Sequence, residues 1–291
     1  MASLNQDIAQ LLAQVEALQR TVEAGSSRFI DNPAALLEAF GVKPYDWQTE
    51  ALTTRARRVI VNCSRQAGKT TVCGAKALHV CMLGAVTVLL VSPSGRQSGN
   101  LYLRMLKVFR AAGAPLGTTM LRADEVRFVN GSRIVALPAN ADTVRGYTPD
   151  LVILDEAARV TDTLYHSLRP ALAASGGALW AASTPAGRRG WFYDAWTTGP
   201  SYGPDKATGW LKLQATADDL PHLSPDEIEM DRMTMGDAMV RQEYFAEFLD
   251  GAGGIFRPED VFHFLQGSDI ESPFQQEDRF NWLDPSVGLL S

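Results

Sequence analysis

The stretch that most constrains this chain is an apolar run ending in a glycine-lysine turn. Arg58-Val-Ile-Val-Asn62 leads into Cys63-Ser-Arg-Gln-Ala-Gly68-Lys69-Thr70. Lys69 to Leu83 then has helical character, with Gly84 placed to stop it. A strand that passes through such a turn into a helix aims backbone N–H groups and a helix N-terminus at an anion. The last three positions fit the phosphate-loop pattern G-x-x-x-x-G-K-[ST], and Cys63 replaces its first glycine. Lys69 is then placed to neutralise the β- and γ-phosphates of ATP, and Thr70 to hold Mg²⁺. Ser64, Arg65, Gln66, Ala67, Gly68 and Thr71 complete the cradle. A chance Gly-Lys-Thr at a strand-to-helix turn is the plain alternative.

A second apolar run, Leu151-Val-Ile-Leu154, ends in Asp155-Glu156. A buried strand carries such acids at its C-terminal edge, where open α/β sheets bind ligands. Asp155 is placed to hold Mg²⁺ through water, and Glu156 to polarise an attacking water as general base. An acidic helix start after a strand is the alternative. Ser183-Thr184-Pro185 follows a further run, Ala178-Leu-Trp-Ala-Ala182. A hydroxyl pair at a strand tip suits the sensing of a γ-phosphate, or simply a turn. Upstream, Tyr45-Asp46-Trp47-Gln48 offers a ring to stack on adenine and an amide to read its N6 and N7 edge, or else a core tryptophan at a helix start. Arg65 and Arg145 are candidates to stabilise charge on a transferring phosphoryl group, or ordinary surface ion pairs.

Short β-type runs alternate with helical stretches from about residue 33. Thr87–Ser92 reads as a strand, about Asn100 to Ala112 as a helix, and Val126–Ala136 as a hairpin around Asn130-Gly131. The alternation predicts an α/β fold, a mainly parallel sheet with helices on both faces. Ser224-Pro225-Asp226-Glu227 reads as a capped helix start with a capping-box glutamate, and the helix breaks near Gly236 on its way toward Phe248. Gly251-Ala-Gly-Gly254 marks a boundary. Leu4, Ile8, Leu11, Val15, Leu18 and Val22 form one stripe at heptad spacing, suited to a docked helix or a partner-binding one. The expected organisation is helix and linker over 1–27, core over 28–215, a small helical lid over 216–255, and a linker or the start of a further domain over 256–291.

Composition narrows the function. The 291 residues allow one large domain or two modest ones. No apolar run approaches the ~20 residues of a membrane helix, and the start lacks the pattern of a secretory leader. Cys63, Cys73 and Cys81 fit no C-x-x-C pair and read as reduced thiols of an intracellular protein. With 33 acidic and 27 basic residues the net charge is −6. A DNA contact must therefore be local. The candidate clusters are Arg188-Arg189 and the group Arg55, Arg57 and Arg58, although clusters of two or three are more often a solvated face.

Ser64-Arg-Gln-Ala-Gly-Lys-Thr-Thr71, the run ending in Asp155-Glu156, and Ser183-Thr-Pro185 together resemble the large terminase subunits of tailed phages, the ATPases that pump DNA into preformed capsids. Tyr45-Asp-Trp-Gln48 looks like that family's adenine motif. Ser92-Pro93 with Gln97-Ser98, Asn130-Gly-Ser132, Val144-Arg-Gly146 and Arg241-Gln-Glu-Tyr-Phe-Ala-Glu-Phe248 also fit. The resemblance implies a P-loop NTPase of RecA/ASCE-like type with a lid, using ATP and Mg²⁺. Lys69 and Thr70 take the phosphate and Mg²⁺ positions, and Asp155 and Glu156 the Mg²⁺ and catalytic carboxylates. Ser183, Thr184 and Pro185 couple hydrolysis to movement. Arg65 matches an arginine finger in cis, and Arg145 one serving a neighbour in a ring.

The same resemblance implies double-stranded DNA, a portal protein and a small terminase subunit as partners. It also implies a homo-oligomeric ring when active, no membrane, and the cytoplasm of the infected host cell. The family carries an RNase H-like nuclease domain as well, of which only Trp282-Leu-Asp284-Pro285 resembles a first strand. The expectation is the motor half alone, an ATPase without nuclease activity. A superfamily 2 helicase shares the Gly-Lys-Thr, Asp-Glu and Ser-Thr motifs but needs a second RecA-like domain. A non-catalytic nucleotide-binding switch in a phage or defence complex need not keep Glu156.

Overall fold

The computed structural model describes residues 27–203 and 209–250. The N-terminal stripe, the glycine-rich boundary and Trp282–Pro285 lie outside them. The elements in chain order are α1 (Ala35–Ala39), α2 (Asp46–Thr53), β1 (Arg58–Cys63), α3 (Lys69–Leu83), β2 (Thr87–Ser92), α4 (Gly95–Ala111), β3 (Thr118–Leu121), β4 (Glu125–Phe128) and β5 (Arg133–Pro138). They continue with α5 (Ala141–Arg145), β6 (Leu151–Asp155), α6 (Asp162–Ser175), β7 (Ala178–Ser183), α7 (Gly190–Thr197), β8 (Leu211–Ala215), α8 (Pro225–Met235) and α9 (Asp237–Phe245).

The strands form one eight-stranded sheet in the order β3-β4-β5-β2-β6-β7-β1-β8. All neighbours are parallel except β3–β4 and β4–β5. Strand alternation sorts side chains into two cores. Val59, Val61, Val88, Leu90, Leu151 and Ile153 pack under α1 to α4. Ile60, Leu89, Val91, Val152 and Leu154 pack under α5 to α7. These strands are buried on both faces, which explains their unbroken apolar runs. Each such side chain contributes about 1.5–3 kcal/mol by leaving water. On the α1–α4 side, helices α3 and α4 touch through Gly74, where a Cβ would come 3.0 Å from the Met105 Cα.

Most predicted elements are present, with instructive differences. Helix α3 ends at Gly84 as expected, but Gly84 is extended rather than left-handed. Helix α4 begins at Gly95, not near Asn100, because Ser94 Oγ accepts the Gln97 N–H at 3.3 Å as an N-cap. Gly236 separates α8 from α9, and Ser224 and Pro225 open α8. The Ser224 side chain makes no capping bond, so the predicted capping box is not formed. Edge strand β3 has three of its four residues exposed and gives no apolar signal.

Candidate nucleotide site

The register of the sheet sets the site. Strand β7 lies between β1 and β6, pairing Asn62 with Ser183 and Asp155 with Ala182. Parallel strands bring the ends of β1, β6 and β7 to one edge. There the loop after β1 meets the acids after β6 and the Ser-Thr-Pro turn after β7.

The loop has the build of an anion cradle. Gln66 and Gly68 have φ of 60° and 84°, a left-handed conformation that turns successive N–H groups inward. At Gly68, the N-cap of α3, a Cβ would also lie 2.9 Å from Gln48 Nε2. The Ser64 and Arg65 N–H groups are taken by Ala215 O and Glu243 O, both at 2.8 Å. Among the described residues, the N–H groups of Gln66, Ala67, Gly68, Lys69 and Thr70 donate to no other part of the chain. Lys69, buried, turns its ammonium back onto Ser64 O at 3.0 Å. Thr71 is half-buried on the first turn of α3.

Thr70 and Asp155 meet directly: Thr70 Oγ1 donates to Asp155 Oδ2 at 3.1 Å. Burial, reinforced by the neighbouring Glu156 charge, pushes the Asp155 carboxyl up to about 6, against the pull of Lys69 and the Thr70 bond. A hydroxyl and a carboxylate are hard oxygen donors that suit Mg²⁺, which typically takes one or two protein ligands and fills its shell with water and phosphate oxygens. The donor set fits that ion. Burial likewise raises the Cys63 thiol to about 12, so the residue in the first glycine position is a neutral packing group.

Glu156 has φ 55° and ψ 43°. A glutamate in that left-handed well is strained by about 1–3 kcal/mol, a feature that clusters at functional sites. Its Oε2 accepts from Arg159 Nη1 at 2.6 Å, and the same nitrogen donates to Thr184 Oγ1 at 3.1 Å. Arg159 Nη2 lies 3.6 Å from Glu243 Oε1 on α9, and Glu243 Oε2 lies 2.7 Å from Arg65 Nε. Buried Glu243 thus joins two arginines, one in the phosphate loop and one beside the acids. Sequence reasoning missed both Arg159 and Glu243. Arg159 sits three residues past the acids in a short 3₁₀ turn, a spacing that places it against Glu156. Glu243 lies inside the Arg241–Phe248 run that resembles the family, but nothing in that run marks it as a partner of the arginines.

Other expected residues stand differently. Gln48 is buried, with Oε1 accepting the Tyr45 N–H and Nε2 donating to Ala67 O at 3.0 Å. Its amide braces the phosphate loop instead of facing outward to an adenine edge. Trp47 is buried in the core beneath the α1–α4 layer. Tyr45 bonds His222 through its hydroxyl at 3.0 Å. Tyr45 and Trp47 line an open cleft of about 820 Å³ with Lys43 and Lys212. Ser183 and Thr184 are buried, and Ser183 Oγ donates to Thr184 O at 2.7 Å. Pro185 follows them into the turn.

Arg145 closes α5, which follows β5, a strand parallel to the acid-bearing β6. Helix α5 thus starts at the carboxylate edge, while Tyr147, two residues past Arg145, carries Arg133 from the first position of β5 over its ring at 5.5 Å. Strand β5 itself stands four positions from β1 in the sheet. Arg145 pairs with Asp142 at 3.3 Å on the surface.

Helices α8 and α9 are tied by Tyr244 to Asp231 and by Arg232 to Asp237. No residue of α8 is buried, whereas α9 buries Val240, Gln242 and Glu243. Beyond α9, Asn62 Nδ2 donates to Ala246 O at 2.8 Å, and Arg188 Nε to Phe248 O at 2.9 Å. Among the described residues no group of three or more potential metal-ligating acids, histidines or cysteines occurs. No described helix is long and apolar enough to cross a membrane.

Comparison with known proteins places this geometry. Residues 60–261 match the family described as terminase large subunit, T4likevirus-type, N-terminal. The large terminase subunit of Thermus virus P23-45 is 25% identical, over 78% of this chain and 53% of that one. The chain thus spans about half the length of the curated relatives it matches. In fold it resembles the large terminase ATPase domain of Thermus phage P74-26, with a TM-score of 0.62, 24% identity, and 73% and 97% of the two chains covered. It also resembles the large terminase of bacteriophage HK97, with a TM-score of 0.58, 16% identity, and 75% and 55% covered. The large terminase of a further thermophilic bacteriophage, solved with ATP-γ-S, gives a TM-score of 0.54 at 18% identity, with 71% and 53% covered.

Proposed function

The chain belongs to the T4likevirus-type terminase large-subunit family, in its N-terminal part, and from that premise we propose that it is the ATP-hydrolysing part of a motor moving double-stranded DNA into a viral capsid. The observation that carries this reading is the convergence on one sheet edge of the phosphate loop, Asp155-Glu156 and Thr184, with Thr70 bonded to Asp155 at 3.1 Å.

In this reading the free N–H groups of residues 66–70 and the Lys69 ammonium hold the β- and γ-phosphates. Lys69 leaves Ser64 O to do so. Thr70 and Asp155 hold Mg²⁺, which supplies charge compensation on the phosphate oxygens when bound. Glu156 accepts a proton from the attacking water at its carboxylate. Arg65 is the candidate to neutralise transition-state charge in its own site, and Arg145 in a neighbour's, within a homo-oligomeric ring. Residues 216–255 act as a lid: a change at Thr184 reaches α9 through Arg159 and Glu243. Portal protein and small terminase subunit are the partners, in the soluble cytoplasm of the infected cell.

Steady-state ATP hydrolysis with and without duplex DNA tests this reading. Turnover that duplex alters supports the motor. ATP binding without turnover points to a nucleotide switch, and turnover indifferent to DNA contradicts the motor part.

A further inference from the structure

We propose that Arg57, Arg58 and Arg169 form a second binding site, away from the nucleotide, for the phosphate groups of a DNA backbone. The choice of DNA as the source of the phosphates rests on the motor reading above.

Arg57 precedes β1 and Arg58 opens it, so both sit at the edge opposite the phosphate loop. Arg169 comes from the last two turns of α6. The three line one cleft of about 220 Å³, together with Gly176 and Gly177 between α6 and β7. Among the described residues, none of the three forms an ion pair. Like charges facing one hollow repel unless an anion joins them. The carbonyl end of α6 lies beside Arg57 and offsets part of one charge. Arg58 and Arg169 also line the adjoining hollow, which holds Asp162 and Asp194 without an ion pair to either arginine, and Asp162 Oδ1 is already taken by the Trp191 N–H at 2.8 Å.

The cleft is also pre-organised. Arg169 lies over the Tyr165 ring at 5.9 Å and donates to its hydroxyl at 3.3 Å. Tyr165 stacks on Trp191 with centroids 4.4 Å apart, and Trp191 Nε1 is fixed on Val160 O at 3.0 Å. A guanidinium held this way loses little freedom on binding. Its planar donors match the paired oxygens of a phosphodiester. The rival basic cluster is partly spent, because Arg188 bonds Phe248 O and pairs with Asp250. The cleft lies one strand length, about 17 Å, from the phosphate loop. DNA and nucleotide can therefore be held together, as a translocating enzyme requires.

The test compares the full chain with its Arg57→Gln/Arg58→Gln/Arg169→Gln variant by anisotropy of a labelled duplex across a salt series, with ATP binding and thermal melting as fold controls. The variant is expected to bind at least about tenfold more weakly at low salt, with a salt slope smaller by about 2–3, while ATP affinity is kept. Should the triple variant melt early, each single Gln substitution is expected to cut the slope by about 0.9. Arg58→Lys is expected to keep the slope. Pyrophosphate is expected to compete far less well than unlabelled duplex. Equal affinity and slope for parent and variant overturn the cleft and leave the motor reading standing. Displacement of the duplex by poly-glutamate as readily as by unlabelled duplex also overturns it, and assigns the cleft to an acidic protein. A parent that binds no duplex overturns the motor reading first, and the choice of DNA with it.

Discussion

Arg159 grips Glu156: its Nη1 lies 2.6 Å from the Glu156 carboxylate and also donates to Thr184. One guanidinium therefore fixes the direction of the Glu156 carboxylate, the proposed general base, and ties it to the turn after β7. Arg159→Ala is expected to lower kcat for ATP by about tenfold or more through loss of alignment, with KM nearly unchanged. Steady-state kinetics check this, and Arg159→Lys should recover only part of the loss, since a point charge cannot span both partners.

Asp155 gives a pH signature. Its folded value of about 6 exceeds the ordinary 3.8, so the fold favours the protonated form. Stability from this group is full below about pH 4 and is lost as pH rises through about 6. Asp155→Asn cannot ionise. It is expected to stabilise the metal- and nucleotide-free chain by about 1–3 kcal/mol at neutral pH, with no gain near pH 4. Denaturant midpoints across that range check the sign. Because Mg²⁺ needs the carboxylate, the Mg²⁺ requirement of ATP binding should rise about tenfold per unit below about pH 6.

Arg145 tests the ring. Its partner Asp142 is a surface residue, and such pairs are worth little. In the proposed ring the arginine would serve a neighbour's nucleotide, where a finger is worth about 10³–10⁵ in rate. Hydrolysis should therefore rise steeply with protein concentration, and Arg145→Ala mixed with Glu156→Gln should recover activity. Strict proportionality and no recovery on mixing would leave Arg65 as the finger.

Much of this was legible because both-face burial and turn chemistry are local. The runs at 58–62, 87–92, 151–154 and 178–182 need no tertiary knowledge to be read as strands. The phosphate loop and Asp155-Glu156 follow from where parallel strands end. Gln48 and Glu243 were not legible in this way. Gln48 has the right type for adenine, yet the left-handed turn at Gly68 brings the loop against its amide. Glu243 lies far along the chain and enters the site only because α9 packs its buried face there.

Glu156 is the proposed base of an ATP-hydrolysing site. Glu156→Gln keeps the shape of the side chain and removes its ability to take a proton. Nucleotide binding and steady-state hydrolysis, measured on the same preparation, are expected to give ATP affinity within about threefold of the parent and turnover lower by about 10²–10⁴-fold. Lys69→Ala, run beside it, should lose turnover and weaken binding together, since the loop loses its buried charge. Hydrolysis by Glu156→Gln at the parent rate would contradict the account.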